Sequence, residues 1–176
     1  FRVECETRNA AFMAEEILKM TATTFENLSQ PNAAMDVFPI NYSEKHIAEL
    51  IHEIRRRVFV IEQHIDPMIE FDTFEHESQH YLAYVKNIPA GTARWRHTNE
   101  GIKLERFSVL KEHRNSGLGR MLVNRLLNDV KPIGKKVYLH AQTTTVRFYE
   151  KAGFKVVSEL FYEANIPHYK MELVIS

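Results

Sequence analysis

The 176 residues carry 23 Lys plus Arg against 23 Asp plus Glu, with 44% hydrophobic and 26% charged residues. That length and balance suit one domain, or one domain with a short appendage, and exclude the disordered and collagen-like classes. Zero formal net charge removes the global basic excess expected of a nucleic-acid binder, no run approaches the roughly 18 apolar residues of a membrane span, and the lone Cys5 forbids an internal disulfide, which makes the cytoplasm the default expectation.

The chain opens on Phe1 without a signal-type apolar run and reads as a fragment with room for something upstream. Residues 1–7 predict a short strand and 10–28 a helix with Phe12, Ile17 and Met20 on its apolar side. Gln30-Pro31-Asn32-Ala33-Ala34 reads as a linker, so residues 1–35 form an accessory element and 36–176 the main domain. A strand at 36–40 leads to Asn41 and Glu44, spaced as a capping box. Ile47, Leu50, Ile51, Ile54 and Val58 follow at helical spacing over 43–60. Residues 62–79 are acidic and irregular, with Pro67 excluding a helix interior. Strands at 80–86, 91–97 and 102–110 are separated by turn residues, which predicts an antiparallel meander. A helix then carries Leu118, Leu122, Leu126 and Val130 on one face, followed by a strand at 136–142, a helix at 144–152 stopped by Gly153, and strands at 154–162 and 168–175 around a turn containing Pro167. The order β-α-β-β-β-α-β-α-β-β predicts an α/β fold with a mixed, mostly antiparallel sheet and helices on both faces.

Between the third strand of the meander and the next helix lies Arg114-Asn115-Ser116-Gly117-Leu118-Gly119. Glycines let backbone amides approach a ligand, and the first turn of a helix leaves its N–H groups unpaired and its dipole positive, so the junction suits an anion. Lys111, Arg114, Arg120, Arg125, Lys131, Lys135 and Lys136 surround it against Glu112 and Asp129, a field suited to a pyrophosphate with a further phosphate. A dinucleotide fingerprint would need glycine where Leu122 stands, and the Gly-Lys-Ser/Thr of nucleotide hydrolases is absent.

Arg114, Gly117 and Gly119 in this context resemble the acetyl-CoA motif of the GNAT N-acetyltransferases. Leu104 to Leu110, Ala141-Gln142, Phe148 to Phe154 and Ile166-Pro167-His168 resemble the small bacterial ElaA-like branch, with coverage from about residue 36 to the end. The resemblance implies splayed central strands that admit the thioester. It implies pyrophosphate on Asn115, Ser116, Gly117, Leu118, Gly119 and Arg120, the pantetheine arm along Phe107 and Val109, and a backbone N–H near Val109 to polarise the carbonyl. Tyr149 becomes the general acid toward the leaving thiolate, with Phe148 beside it in the core. Acetyl-CoA would be the acyl donor. Homodimers are common among such relatives, though no interface is legible.

The residues leave other roles open. Alternation places Glu105, Phe107 and Val109 on one strand face, which makes Glu105 either the base for the acceptor ammonium or an anchor for it. Gln142 ends its strand as a partner for the cofactor arm or a strand cap, while His140 reads as a satisfied sheet histidine on the same face. His168 is placed near the acceptor pocket without a defined role. Glu70, Asp72, Glu75 and Glu77 suggest an acidic rim that would favour a small cationic amine as acceptor. His76-Glu77-Ser78-Gln79-His80 matches a zinc-hydrolase pattern, but the following residues read as a strand, where the two histidines would not share a helix face. An N-acetyltransferase acting on an amine is the leading expectation, with a non-catalytic coenzyme A sensor and a zinc hydrolase as alternatives.

Overall fold

The computed structural model describes residues 35–174. The N-terminal strand, helix and linker expected over residues 1–34 lie outside them, as does the end of the last predicted strand. Strand β1 (Met35–Ile40) pairs antiparallel with β2 (Gln79–Val85), β2 with β3 (Ile88–Thr98), and β3 with β4 (Gly101–Val109). The predicted meander is present. Lys86 and Asn87, both at positive φ, form its first tight turn, so Ile88, Pro89 and Ala90 belong to β3 rather than to the loop. β4 runs parallel to β5 (Val137–Gln142), and β5 is antiparallel to β8 (Ile166–Leu173). β6 (Phe154–Val156) and β7 (Phe161–Glu163) both pair with β8, which gives the sheet order β1-β2-β3-β4-β5-β8-β6 with β7 beside β8. The single strand predicted over 154–162 is therefore two short ones. The final turn is Ala164–Asn165, again at positive φ, and Pro167 lies within β8.

Helix α1 (Lys45–Arg55) buries Ile51 and Ile54, as its spacing predicts, but also Arg55, which is fully enclosed. Asn41 does not cap it. The Asn41 side chain accepts from the Ser43 amide instead, and Glu44 occupies the cap position without a side-chain bond. The chain continues through a π-helical turn, Arg56–Glu62, that keeps Val58 and Phe59 buried. Pro67 opens a short helix, α2 (Pro67–Glu70), where its missing N–H costs nothing, and the Asp66 carboxylate accepts from the Met68 amide. Helix α3 (Leu118–Val130) buries Leu118, Leu122, Leu126 and Val130 together with Val123 and Leu127. Each such side chain contributes roughly 1.5–3 kcal/mol on burial. They pack on Tyr81, Ala83, Ala93, Ile102, Leu104 and Leu139. Alternate residues such as Leu82 and Arg94 point to the other face, toward α1. Short helix α4 (Val146–Glu150) follows β5, and the turn after it closes at Gly153, whose φ is 93°.

Candidate active site

The ladder between β4 and β5 holds only from Ile102 to Leu104, against Val137 to Leu139. Beyond it the strands part, as the resemblance implies. The cause is local. Arg106 sits at φ 60°, and the register against β3 shifts between Thr92 and Arg94, so β4 carries an extra residue there. Such a bulge bends its strand and raises the local twist, which turns β4 away from β5.

The bulge also corrects the alternation expected for β4. Phe107 and Val109 pack with Leu104 on the α3 side, whereas Glu105 joins Arg94 on the opposite face. Glu105 is not a free carboxylate. It lies 2.8 Å from Arg94, 2.9 Å from Arg96 and 3.5 Å from Lys103. Burial works to raise its carboxyl, but these cations hold it below the usual carboxylate range.

Arg94 is fully buried and also meets Asp72 at 2.6 Å and Glu75 at 2.9 Å. Arg55 takes Glu70 at 2.6 Å and Glu75 at 2.8 Å, and Arg106 takes Asp72 at 2.9 Å. The expected acidic rim is thus largely an internal network. Glu70, Asp72 and Glu75 face arginines, and of the four acids only Glu77 is left to solvent. The sequence order hid this, because every cation in the network comes from another element.

A cavity of about 510 Å³ opens at the splay. Its walls are the Phe59–Ile65 turn, the segment from Ile69 to Phe74, β4 from Lys103 to Phe107, the end of β5, α4, and the β7–β8 turn. Tyr149 lines it, with its ring edge-on to those of Phe107, Phe148 and Phe154. Its hydroxyl finds no hydrogen-bond partner among the described residues, and burial pushes it well above the usual tyrosine value. The group therefore stays protonated. Phe148, expected in the core, is 39% exposed and lies over Gly119.

Beyond β4 the chain makes a 3₁₀ turn and reaches Asn115 at φ 61° and Gly117 at φ 97° before α3 begins. A Cβ at Gly117 would meet nothing within 4 Å, so the loop is uncrowded on that side. No side chain caps α3. Among the described residues the amides of Gly117, Gly119 and Arg120 find no acceptor, while Leu118 has only a 3.3 Å contact to the Ser116 hydroxyl. Arg114 does not offer a free charge. Its guanidinium grips Glu62 through two 2.6 Å bonds and the Val109 carbonyl at 3.0 Å, which fastens the loop to the π turn and to β4. Arg120 and Lys111 are exposed and make no ion pair among the described residues, so they supply the local positive field. Gln142 donates to the Gln63 side chain at 2.8 Å, bridging β5 to the π turn across the cleft.

The His-Glu-x-x-His segment is not a helix. His76 and Glu77 lie in a 3₁₀ turn and His80 in β2. The His80 ring stacks on Tyr42 and bonds the Glu75 carbonyl at 2.8 Å, and burial drives it down to about 4. Both histidine rings contact Tyr42, and no cluster of three or more potential metal ligands occurs among the described residues.

The mixed sheet with its parted parallel strand pair beside a loop of unpaired amides is the architecture of an α/β acetyltransferase fold. The model of the acetyltransferase (GNAT) domain matches residues 40–175, and the chain belongs to that family of acetyltransferases. The protein YyaT of Bacillus subtilis is 43% identical over 133 residues, covering 72% of this chain and 90% of the relative. The N-acetyltransferase YjcF of the same organism is 41% identical over 120 residues, covering 67% and 86%. Among solved structures, Escherichia coli ElaA superposes with a TM-score of 0.72 at 25% identity, over 80% of this chain and 99% of that one. A family member from Elizabethkingia anophelis, solved with acetyl-CoA bound, shares the fold at 15% identity and a TM-score of 0.55, over 80% of this chain and 96% of that one.

Proposed function

We propose that the protein transfers acetyl from acetyl-CoA to an amine of a small metabolite, by direct attack with donor and acceptor bound together. The observation that carries this reading is the splay. The unpaired β4 edge, where a pantetheine arm would lie, leads from the cavity along the chain to a loop whose free amides suit a pyrophosphate. The residues fit the donor. Gly117 leaves its cradle open, Lys111 and Arg120 lie beside it, and Phe107 and Val109 border the strand edge.

Tyr149 is the acid that hands a proton to the departing thiolate. A hydroxyl on the cavity wall with no internal partner is available for that bond. A backbone N–H near Val109 would polarise the thioester carbonyl. The Glu105 side chain, shared by three cations, holds the acceptor wall in place rather than taking a proton.

A screen of amino acids, polyamines and aminosugars for acetyl-CoA-dependent thiol release tests this function. Turnover with at least one amine is expected. Tight acetyl-CoA binding with no turnover across the panel would favour the sensor alternative, and no binding at all would remove the reading.

A further inference from the structure

With Glu105 committed to Arg94, Arg96 and Lys103, the first proton of the acceptor ammonium has no evident recipient on β4. The opposite wall of the same cavity supplies one. His140 lies on β5 just past the last residue paired with β4, and its ring is 22% exposed in the cleft. Its Nδ1 is 2.7 Å from Oε1 of Glu163, which β7 brings in from 23 residues away. An ionised carboxylate only accepts, so Nδ1 carries the hydrogen and the neutral ring keeps its lone pair on Nε2. Nε2 has no hydrogen-bond partner among the described residues.

The ring is held on several sides. Phe161 meets it edge-on at 5.0 Å, Tyr138 lies at 5.9 Å, and the backbone is locked to Lys170 of β8. We propose that His140, oriented by Glu163, is the general base that deprotonates the acceptor amine. This rests on the acetyl-transfer reading of the cavity. An acceptor carboxylate, an orienting hydrogen bond and a free ring nitrogen facing a substrate cavity make the arrangement that activates nucleophiles elsewhere.

The proton balance closes. Nε2 takes one proton from the ammonium and passes it to solvent. The freed lone pair forms the C–N bond at the thioester carbonyl, and the C–S bond breaks as the tetrahedral intermediate collapses. Nε2, neutral again, takes the second nitrogen proton and passes it to solvent, Tyr149 gives its proton to sulfur, and Tyr149 is reprotonated from solvent, so one proton is released overall. The charged and titratable groups around the ring are Glu163 of β7, His168 and Lys170 of β8, Tyr138 of β5, Lys103 of β4, and Glu100 in the turn before β4, which is ion-paired to Lys170. Burial works to raise the Glu163 carboxyl, but the His140 hydrogen bond and the charges of His140, Lys103 and His168 carry it below its usual range, so it stays an acceptor.

Two measurements test the dyad. The first needs no acceptor: nitrogen NMR of the His140 ring in the full chain should show the neutral tautomer protonated on Nδ1, and a ring protonated on Nε2 would overturn the proposal. The second uses whichever amine the wild type acetylates. His140→Gln should lower kcat/KM about 10²- to 10³-fold and abolish the acid limb of its pH profile, with acetyl-CoA affinity retained. Glu163→Gln keeps an acceptor for Nδ1 but removes the charge that favours the imidazolium. It should cost about tenfold and move the acid limb to lower pH, a shift that a purely structural role would not produce. A His140→Gln enzyme with wild-type kcat/KM and an intact acid limb overturns the dyad alone. A wild type that neither binds acetyl-CoA nor releases thiol overturns the acetyl-transfer reading with it.

Discussion

The two sides of the cleft are built differently. The donor side is a continuous stretch, from Phe107 through the loop to Arg120, and its chemistry is main-chain: free amides, one glycine at φ 97° and a helix start. The acceptor side is assembled from side chains that are far apart in sequence, with Arg55, Asp72, Arg94 and Glu105 knotted at one end and His140 with Glu163 at the other. A backbone site tolerates side-chain change but not a change of φ. A side-chain network does the reverse, since each member leaves another buried charge behind when it is removed.

The largest effect expected from this contrast is on stability. Arg94→Met leaves Asp72, Glu75 and Glu105 short of their central cation and should cost about 3–5 kcal/mol, read as a lower urea midpoint at unchanged slope. An unmoved midpoint would mean that Arg94 is not the knot of the acceptor wall. Tyr149→Phe should lower kcat about 100-fold, or roughly 2.7 kcal/mol, with acetyl-CoA affinity within about threefold of wild type. Equal loss of affinity would make Tyr149 a wall of the binding site rather than an acid.

Gly117→Val forces a β-branched residue into a left-handed conformation, at a cost of about 1–3 kcal/mol. The surroundings are open, so the damage comes from φ rather than from a clash. Relaxation of the loop should weaken acetyl-CoA about tenfold in a binding titration, while Ser116→Ala should leave it nearly unchanged.

The smallest effect concerns acid. Because the folded state lowers the Glu105 carboxyl, its contribution is present above the unfolded value of about 4.3 and fades as pH falls through the lower folded value. Glu105→Gln should therefore be less stable at neutral pH yet lose less than the wild type on going below about pH 4. Glu70, which burial raises, works in the opposite sense in both proteins, so the difference between them is the quantity to measure. Its kcat/KM profile should keep the acid limb; loss of that limb would return Glu105 to the role of base.

The glycine junction before α3 was legible because it is local. Glycine spacing, the strand before it and the amphipathic face after it all lie within one stretch, and Leu118, Leu122, Leu126 and Val130 are buried as their period requires. The pairing of the acidic segment was hidden for the complementary reason. Four acids within eight residues looked like a rim because nothing nearby balanced them, yet Arg55, Arg94 and Arg106 arrive from three other elements. His140 read as an ordinary sheet histidine because Glu163, its partner, lies on another strand. The single extra residue at Arg106 moved Glu105 to the face opposite Phe107, and period-two reasoning has no means of seeing a bulge.

The sequence by itself determined the order of elements, the helix faces and the glycine junction before α3, because each depends on periodicity and backbone freedom within a few residues. Only the tertiary structure decided where the strands part, which charges cancel and which histidine nitrogen is left free. Those outcomes depend on distances between residues that the chain brings together only when the sheet closes.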